Sequence, residues 1–121
     1  MVRADVSTLV DLESEIRAFC EERDWDRFHG AKDLAIGIAT EAAELLQLFR
    51  FLTPEQVEVS LANADSRARI EEELADVAIF TLRFSGRHGI DLAAAIRNKL
   101  ALNAARYPIE SSRASNRKAG A

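Results

Sequence analysis

Helix-breaking residues are scarce in this chain, with two prolines and five glycines among 121 residues. The background is rich in Ala, Leu, Glu and Arg, each of which favours helix. No segment alternates apolar and polar residues over the roughly four to eight positions that a half-buried strand requires. The expected fold class is therefore all-α, with changes of direction confined to a few glycine, proline and capping positions.

Those positions divide the chain. Ser7 is the expected cap of a first helix that carries Leu9, Leu12, Ile16 and Phe19 on one buried stripe and ends near Asp24. Trp25 to Ala31 reads as a loop, because aromatic, charged and glycine residues follow one another without a period. A long helix should run from about Lys32 to Phe51. In Thr53-Pro54-Glu55-Gln56 the Thr can cap, the Pro suits a first helical turn and the Gln can close a capping box, so a short helix to about Ala62 follows. After a polar break at Asn63 to Ser66, helix should continue to His88, where Gly89 offers a left-handed stop. Asp91 caps a last helix to about Arg106, before Pro108. Residues 1–110 thus form the expected domain, and 111–121, small, polar and basic, the expected mobile tail.

Composition narrows the function classes. With 48% hydrophobic and 30% charged residues the chain fits one domain with an ordinary core. At this length folding buries roughly two thirds of the unfolded surface, so pairing with another copy would help. The net charge of −4, with Lys and Arg scattered except near the C-terminus, leaves no broad basic face for a nucleic acid polymer. The single cysteine, Cys20, rules out an internal disulfide and sits where it would pack as a small hydrophobe. There is no secretory leader pattern and no apolar run near the roughly 20 residues that span a bilayer. A cytoplasmic location without a membrane partner is expected.

The chemistry lies in two acid pairs. Glu41-Ala42-Ala43-Glu44 and Glu73-Leu74-Ala75-Asp76 each place two carboxylates three residues apart, on one side of a helix. Like charges so spaced repel, and a lone pair is usually a solvated acidic face. Two pairs on separate apolar helices, with alanines between the acids, suit close helix approach and a shared cation better. Their oxygens form the hard ligand set preferred by Mg²⁺, with Mn²⁺ a second candidate, and leave coordination open for phosphate and water.

At these residues the sequence resembles the MazG-like all-α nucleoside triphosphate pyrophosphohydrolases, whose signature is ExxE followed by ExxD. The resemblance is nearest to the dCTP pyrophosphatase branch and extends from about Leu9 to Pro108. It includes Glu22-Arg23-Asp24-Trp25, Phe28-His29, and the last-helix pattern of Lys99, Asn103 and Arg106-Tyr107-Pro108. It implies a four-helix-bundle-like domain assembling as a dimer or tetramer, with metal held by Glu41, Glu44, Glu73 and Asp76. Bound metal would release a nucleoside monophosphate and pyrophosphate from the triphosphate by activating a water, and Glu44 and Glu73 are both candidates to accept its proton.

The resemblance also implies a base pocket. Trp25, Phe51 and Phe80 are the candidate aromatic walls. Phe51 and Phe80 stand where relatives carry Trp and Tyr, and Ile16 where some carry His, so the pocket should read a base more by shape than by its edge and accept dCTP or a modified pyrimidine nucleotide. His29 and Lys32, at the mouth of the second helix, are candidate phosphate ligands. Lys99 and Asn103 share a helix face and would meet phosphate and sugar or base, with Arg106 and Tyr107 following. The implied role is housecleaning of the nucleotide pool. The competing expectation is a non-catalytic helical module that senses nucleotides or binds a protein.

Overall fold

The computed structural model describes residues 8–116, and every regular element among them is helical, as the scarcity of helix breakers requires. The chain divides into two compact units, the first ending at Ile90 and the second beginning at Asp91.

In the first unit, α1 (Leu9–Glu22) opens on Thr8. Its hydroxyl accepts from the Asp11 N–H at 3.1 Å, while the Asp11 carboxylate accepts from the Thr8 N–H at 3.0 Å. This reciprocal box satisfies donors that a helix start leaves orphaned. Ser7, the expected cap, lies outside the described residues. At the other end Asp24 takes a left-handed conformation, φ 54°, and the Trp25 N–H donates to Cys20 O at 3.0 Å. That closure usually takes glycine, and Asp tolerates it because its short polar side chain bonds locally, here in an ion pair with Arg27. The expected loop contains one 3-10 turn, Asp26–Phe28.

The second helix, α2 (Ala31–Gln47), ends before the expected Phe51. Beyond Gln47 the N–H groups of Leu48, Phe49 and Leu52 donate three residues back, at 3.2, 3.0 and 2.9 Å, tightening the chain into a turn. Further on, Pro54 holds Thr53 extended at φ −73°, ψ 162°, so no helix can run through Thr53 into α3. The expected capping box of α3 (Pro54–Ala62) is present: Gln56 N–H donates to Thr53 Oγ1 at 3.2 Å, and Thr53 N–H donates to Gln56 Oε1 at 2.9 Å.

The expected polar break at Asn63 to Ser66 contracts to one residue. Asn63 closes α3 with its N–H on Val59 O and opens α4 (Ala64–Arg87) by accepting the Asp65 and Ser66 N–H groups on Oδ1. Asp65, exposed, and Ser66, half-buried with its hydroxyl donating to Ser60 O, form the first turn, where such residues cost helix little. The stop at Gly89 is as expected, with φ 68° and the Ile90 N–H on Ser85 O at 2.9 Å.

All of α1, α2 and α3 pack on α4. Leu34 of α2 is completely buried, worth about 2 kcal/mol in apolar transfer, and Cys20, Ile70 and Leu82 join it. The expected α1 stripe is only partly covered: Leu12 and Phe19 stay 38% and 49% exposed. The seam between α1 and α4 opens there into a cavity, so these two side chains line a wall instead of filling a core.

In the second unit, α5 (Leu92–Arg106) is capped by Asp91, whose carboxylate accepts from the Ala94 N–H at 3.0 Å. After Pro108 one further helical turn, α6 (Ile109–Ser112), follows. Residues 117–121, the end of the expected tail, lie outside the described residues. No helix among the described residues is long and apolar enough to cross a membrane.

Candidate functional site

The less exposed positions of α2 are Leu34, Gly37, Ile38, Glu41 and Leu45, a continuous inward stripe. On α4 they include Ile70, Glu73, Asp76, Val77 and Phe80. Three acids therefore occupy positions that helix periodicity reserves for hydrophobes. One oxygen each from Glu41, Glu73 and Asp76 lies within 4.8 Å of the others. Glu41 Oε2 and Glu73 Oε2 are buried and accept no hydrogen bond. Glu44, one helical turn beyond Glu41, is exposed at the edge of this group.

Such an arrangement is costly for the protein alone, since buried carboxylate oxygens without donors lose their hydration and repel one another. Burial, then contact with the Glu44 carboxyl and the surrounding negative charges, pushes Glu41 up to about 7. Glu73 is raised for the same leading reason, with Glu44 and Asp76 adding to it. Without a cation, burial and mutual repulsion favour the protonated form of Glu41 and Glu73. The all-oxygen donor set and the two orphaned oxygens fit a hard divalent cation.

A cavity of about 500 Å³ adjoins the same helix, lined by Ile16 and Phe19 of α1, by Trp25 and His29, and by Phe80 and Arg83 of α4. Phe80 is one turn beyond Asp76, so one helix carries both acids and cavity wall. Its ring fits because residue 37 is glycine: a Cβ on Gly37 would lie 2.5 Å from two ring carbons. Glycine inside a helix ordinarily costs up to about 1 kcal/mol relative to alanine, so close approach is the reason to keep it. Gly37→Ala, which would stabilise an unencumbered helix, is expected here to destabilise by about 1 kcal/mol or more through overpacking. Urea unfolding of the two proteins measures the sign.

Trp25 leaves α1 in the direction set by the closure at Asp24 and remains 41% exposed. Its ring meets Phe19 edge-on at 5.7 Å between centroids and His29 at 6.3 Å. Behind it Arg83, only 4% exposed, donates from Nε to His29 Nδ1 at 3.0 Å and pairs with Asp26. Burial and the Arg83 charge both lower the His29 pKa.

The structure thus brings Glu41, Glu73 and Asp76 together, with Glu44 beside them, and gathers Trp25, His29 and Phe80 around the cavity. Lys32 is exposed in the first turn of α2, and Phe51, on the turn before α3, is 82% exposed; neither lines the cavity. In the second unit, Lys99 is exposed and Asn103 half-buried on α5, and the Arg106 guanidinium lies 5.8 Å from the Tyr107 ring centre. Sequence reasoning missed Arg83 and Gly37. The available signals were a lone charge inside the apolar run Ile79 to Phe84 and a glycine in the middle of a strong helix.

Comparison with known proteins places this arrangement. The chain is 34% identical to dCTP pyrophosphatase 1 of Homo sapiens over 111 residues, covering 92% of this chain and 65% of that protein. Against dCTP pyrophosphatase 1 of Bos taurus it is 33% identical over 108 residues, 89% of this chain and 64% of that protein. It therefore spans just under two thirds of the length of these curated relatives. The fold matches a crystal structure of a pyrophosphatase from Archaeoglobus fulgidus DSM 4304 with a TM-score of 0.76 and 29% identity, over 89% of this chain and 99% of that one. The model of the MazG-like family matches residues 36–121, the stretch that carries both acid pairs, and the chain belongs to that family.

Proposed function

We propose that this chain is a divalent-metal-dependent nucleoside triphosphate pyrophosphohydrolase that cleaves dCTP or a related or modified pyrimidine nucleotide to the monophosphate and pyrophosphate. The observation that carries this reading is the inward cluster of Glu41, Glu73 and Asp76, with two orphaned oxygens, sharing α4 with a largely apolar cavity. The names of the human, bovine and archaeal proteins support it.

Glu41, Glu73 and Asp76, with Glu44 at their edge, would hold Mg²⁺ or Mn²⁺. The cation would supply neutralisation of phosphate charge and activation of water. Glu44 and Glu73 are the candidates to accept the proton of that water, Glu44 being the more exposed of the two. Trp25 and Phe80 give the cavity flat apolar walls on which a base can stack. Lys32, at the start of α2, is a candidate phosphate ligand; on the family pattern Lys99 and Arg106 are candidates for phosphate and Asn103 for sugar or base, with Phe51 and Tyr107 as further candidate substrate contacts. Housecleaning of the nucleotide pool is the role this chemistry serves.

Exposed hydrophobes in the first unit, among them Leu46 and Leu74 at 56% each and Val59 at 69%, support self-association to a dimer or tetramer. A panel of nucleoside triphosphates with Mg²⁺, run on protein whose mass in solution is measured in parallel, tests the proposal. Monophosphate and pyrophosphate should appear fastest from dCTP or a modified pyrimidine nucleotide, in a species larger than the monomer. Nucleotide binding without release of pyrophosphate would favour a sensing module instead.

A further inference from the structure

Arg83 is a buried cation outside the acid cluster, placed seven residues beyond Asp76 on the same helix. Burying a guanidinium is tolerable only when it finds partners, and Arg83 has two: one terminal nitrogen pairs with Asp26, while Nε donates to His29 Nδ1 at 3.0 Å. Both partners belong to the short segment that also carries Trp25. A guanidinium never gives up its protons at ordinary pH, so Nδ1 must be the acceptor in this bond. The imidazole is then neutral with its hydrogen on Nε2. Burial and the adjacent Arg83 charge, which disfavour protonation of His29, act in the same direction.

We propose that Arg83 is a positioning residue of the cavity, fixing His29 as a neutral N–H donor on a mainly apolar wall so that the cavity selects a base whose edge carries a carbonyl acceptor. This rests on the nucleotide-binding reading of the cavity and deepens it. Ile16, Phe19, Ile79 and Phe80 line the same space and offer a base no hydrogen bond. A site that satisfies a base carbonyl rejects an analogue lacking it far more strongly than shape alone does. A neutral donor on an apolar wall also suits a heterocycle better than a phosphate. If Arg83 served only to pin the loop, its ion pair with Asp26 would suffice and the tautomer of His29 would be free.

The chain contains two histidines and one tryptophan, so imidazole nitrogen NMR and tryptophan emission report on His29 and Trp25 with little ambiguity. In the unsubstituted protein His29 should show the Nε2-protonated tautomer. In Arg83→Met the tautomers should mix, Trp25 emission should shift to the red, and KM for dCTP should rise about tenfold with kcat changed by less than about threefold. The preference for dCTP over its 2-thio analogue, whose sulfur accepts poorly, should shrink in the variant.

Arg83→Lys, which keeps the charge but loses the fork, and His29→Gln carry the same kinetic test if Arg83→Met does not fold. An Nδ1-protonated His29 in the unsubstituted protein overturns the proposal. So does a folded Arg83 variant with unchanged KM and unchanged discrimination against the 2-thio analogue. Should no nucleotide be hydrolysed, the enzymatic reading fails, while tautomer and emission still decide the role of Arg83.

Discussion

Glu73→Gln and Asp76→Asn are expected to lower triphosphate hydrolysis by about 10³-fold or more at saturating Mg²⁺, while raising the melting temperature of the metal-free protein. Both effects have one cause. Glu41, Glu73 and Asp76 present oxygens within 4.8 Å of one another, and two carboxylate oxygens there accept no hydrogen bond. Neutralising one member relieves repulsion in the empty cluster and removes a ligand from the filled one. Steady-state kinetics measures the first effect, and thermal unfolding in a chelator the second. A variant with near-normal turnover would remove that residue from the metal site. Glu44→Gln separates two roles for the exposed neighbour: loss of turnover with metal-induced stabilisation kept marks Glu44 as the base, whereas loss of both marks it as a ligand.

Stability of the metal-free protein should fall as pH rises between about 4.5 and 7. Glu41 moves from its ordinary 4.5 up to about 7 in the folded chain, and Glu73 moves in the same direction. Across that window the folded state binds more protons than the unfolded state, so the contribution is complete below the lower value and lost above the upper one. A divalent cation bound by these carboxylates would replace the protons. At a concentration of about 100 times Kd it should add roughly 2.7 kcal/mol, an increase of about 10 °C for a domain of this size. The increase should be largest above pH 7 and fade toward pH 5, where protons compete for the same oxygens. Melting curves at several pH values, with Mg²⁺ or Mn²⁺ and with chelator, give the result. A flat metal-free profile with no cation effect would sink the account.

The acid pairs were legible because helix spacing alone puts Glu41 beside Glu44 and Glu73 beside Asp76. That Glu44 stands at the edge while the other three converge depends on the rotation of α2 against α4, which spacing within either helix does not contain. The capping box at Thr53 was legible for the opposite reason, being wholly local. The end of α2 was not, because no residue from Leu48 to Phe51 is a helix breaker and Pro54 restricts directly only Thr53. Leu12 and Phe19 show a further limit: an apolar stripe announces which face turns inward but not whether it meets packing or empty space. Arg83 was hidden by its setting, since its partners Asp26 and His29 lie more than fifty residues earlier in the chain.

The ring of Phe80 stands against Gly37, one helical turn before Glu41, and faces the cavity as well. The same ring therefore touches the helix that carries Glu41 and borders the cavity. A ligand that pressed this ring outward would push on the helix that carries Glu41, and a cation drawing α2 toward α4 would press it back. On the proposed function the two occupancies would then be coupled. Whatever free energy one lends or denies the other must be returned in equal measure, so affinity for the cation measured with and without a base in the cavity becomes a gauge of how stiffly Phe80 is held.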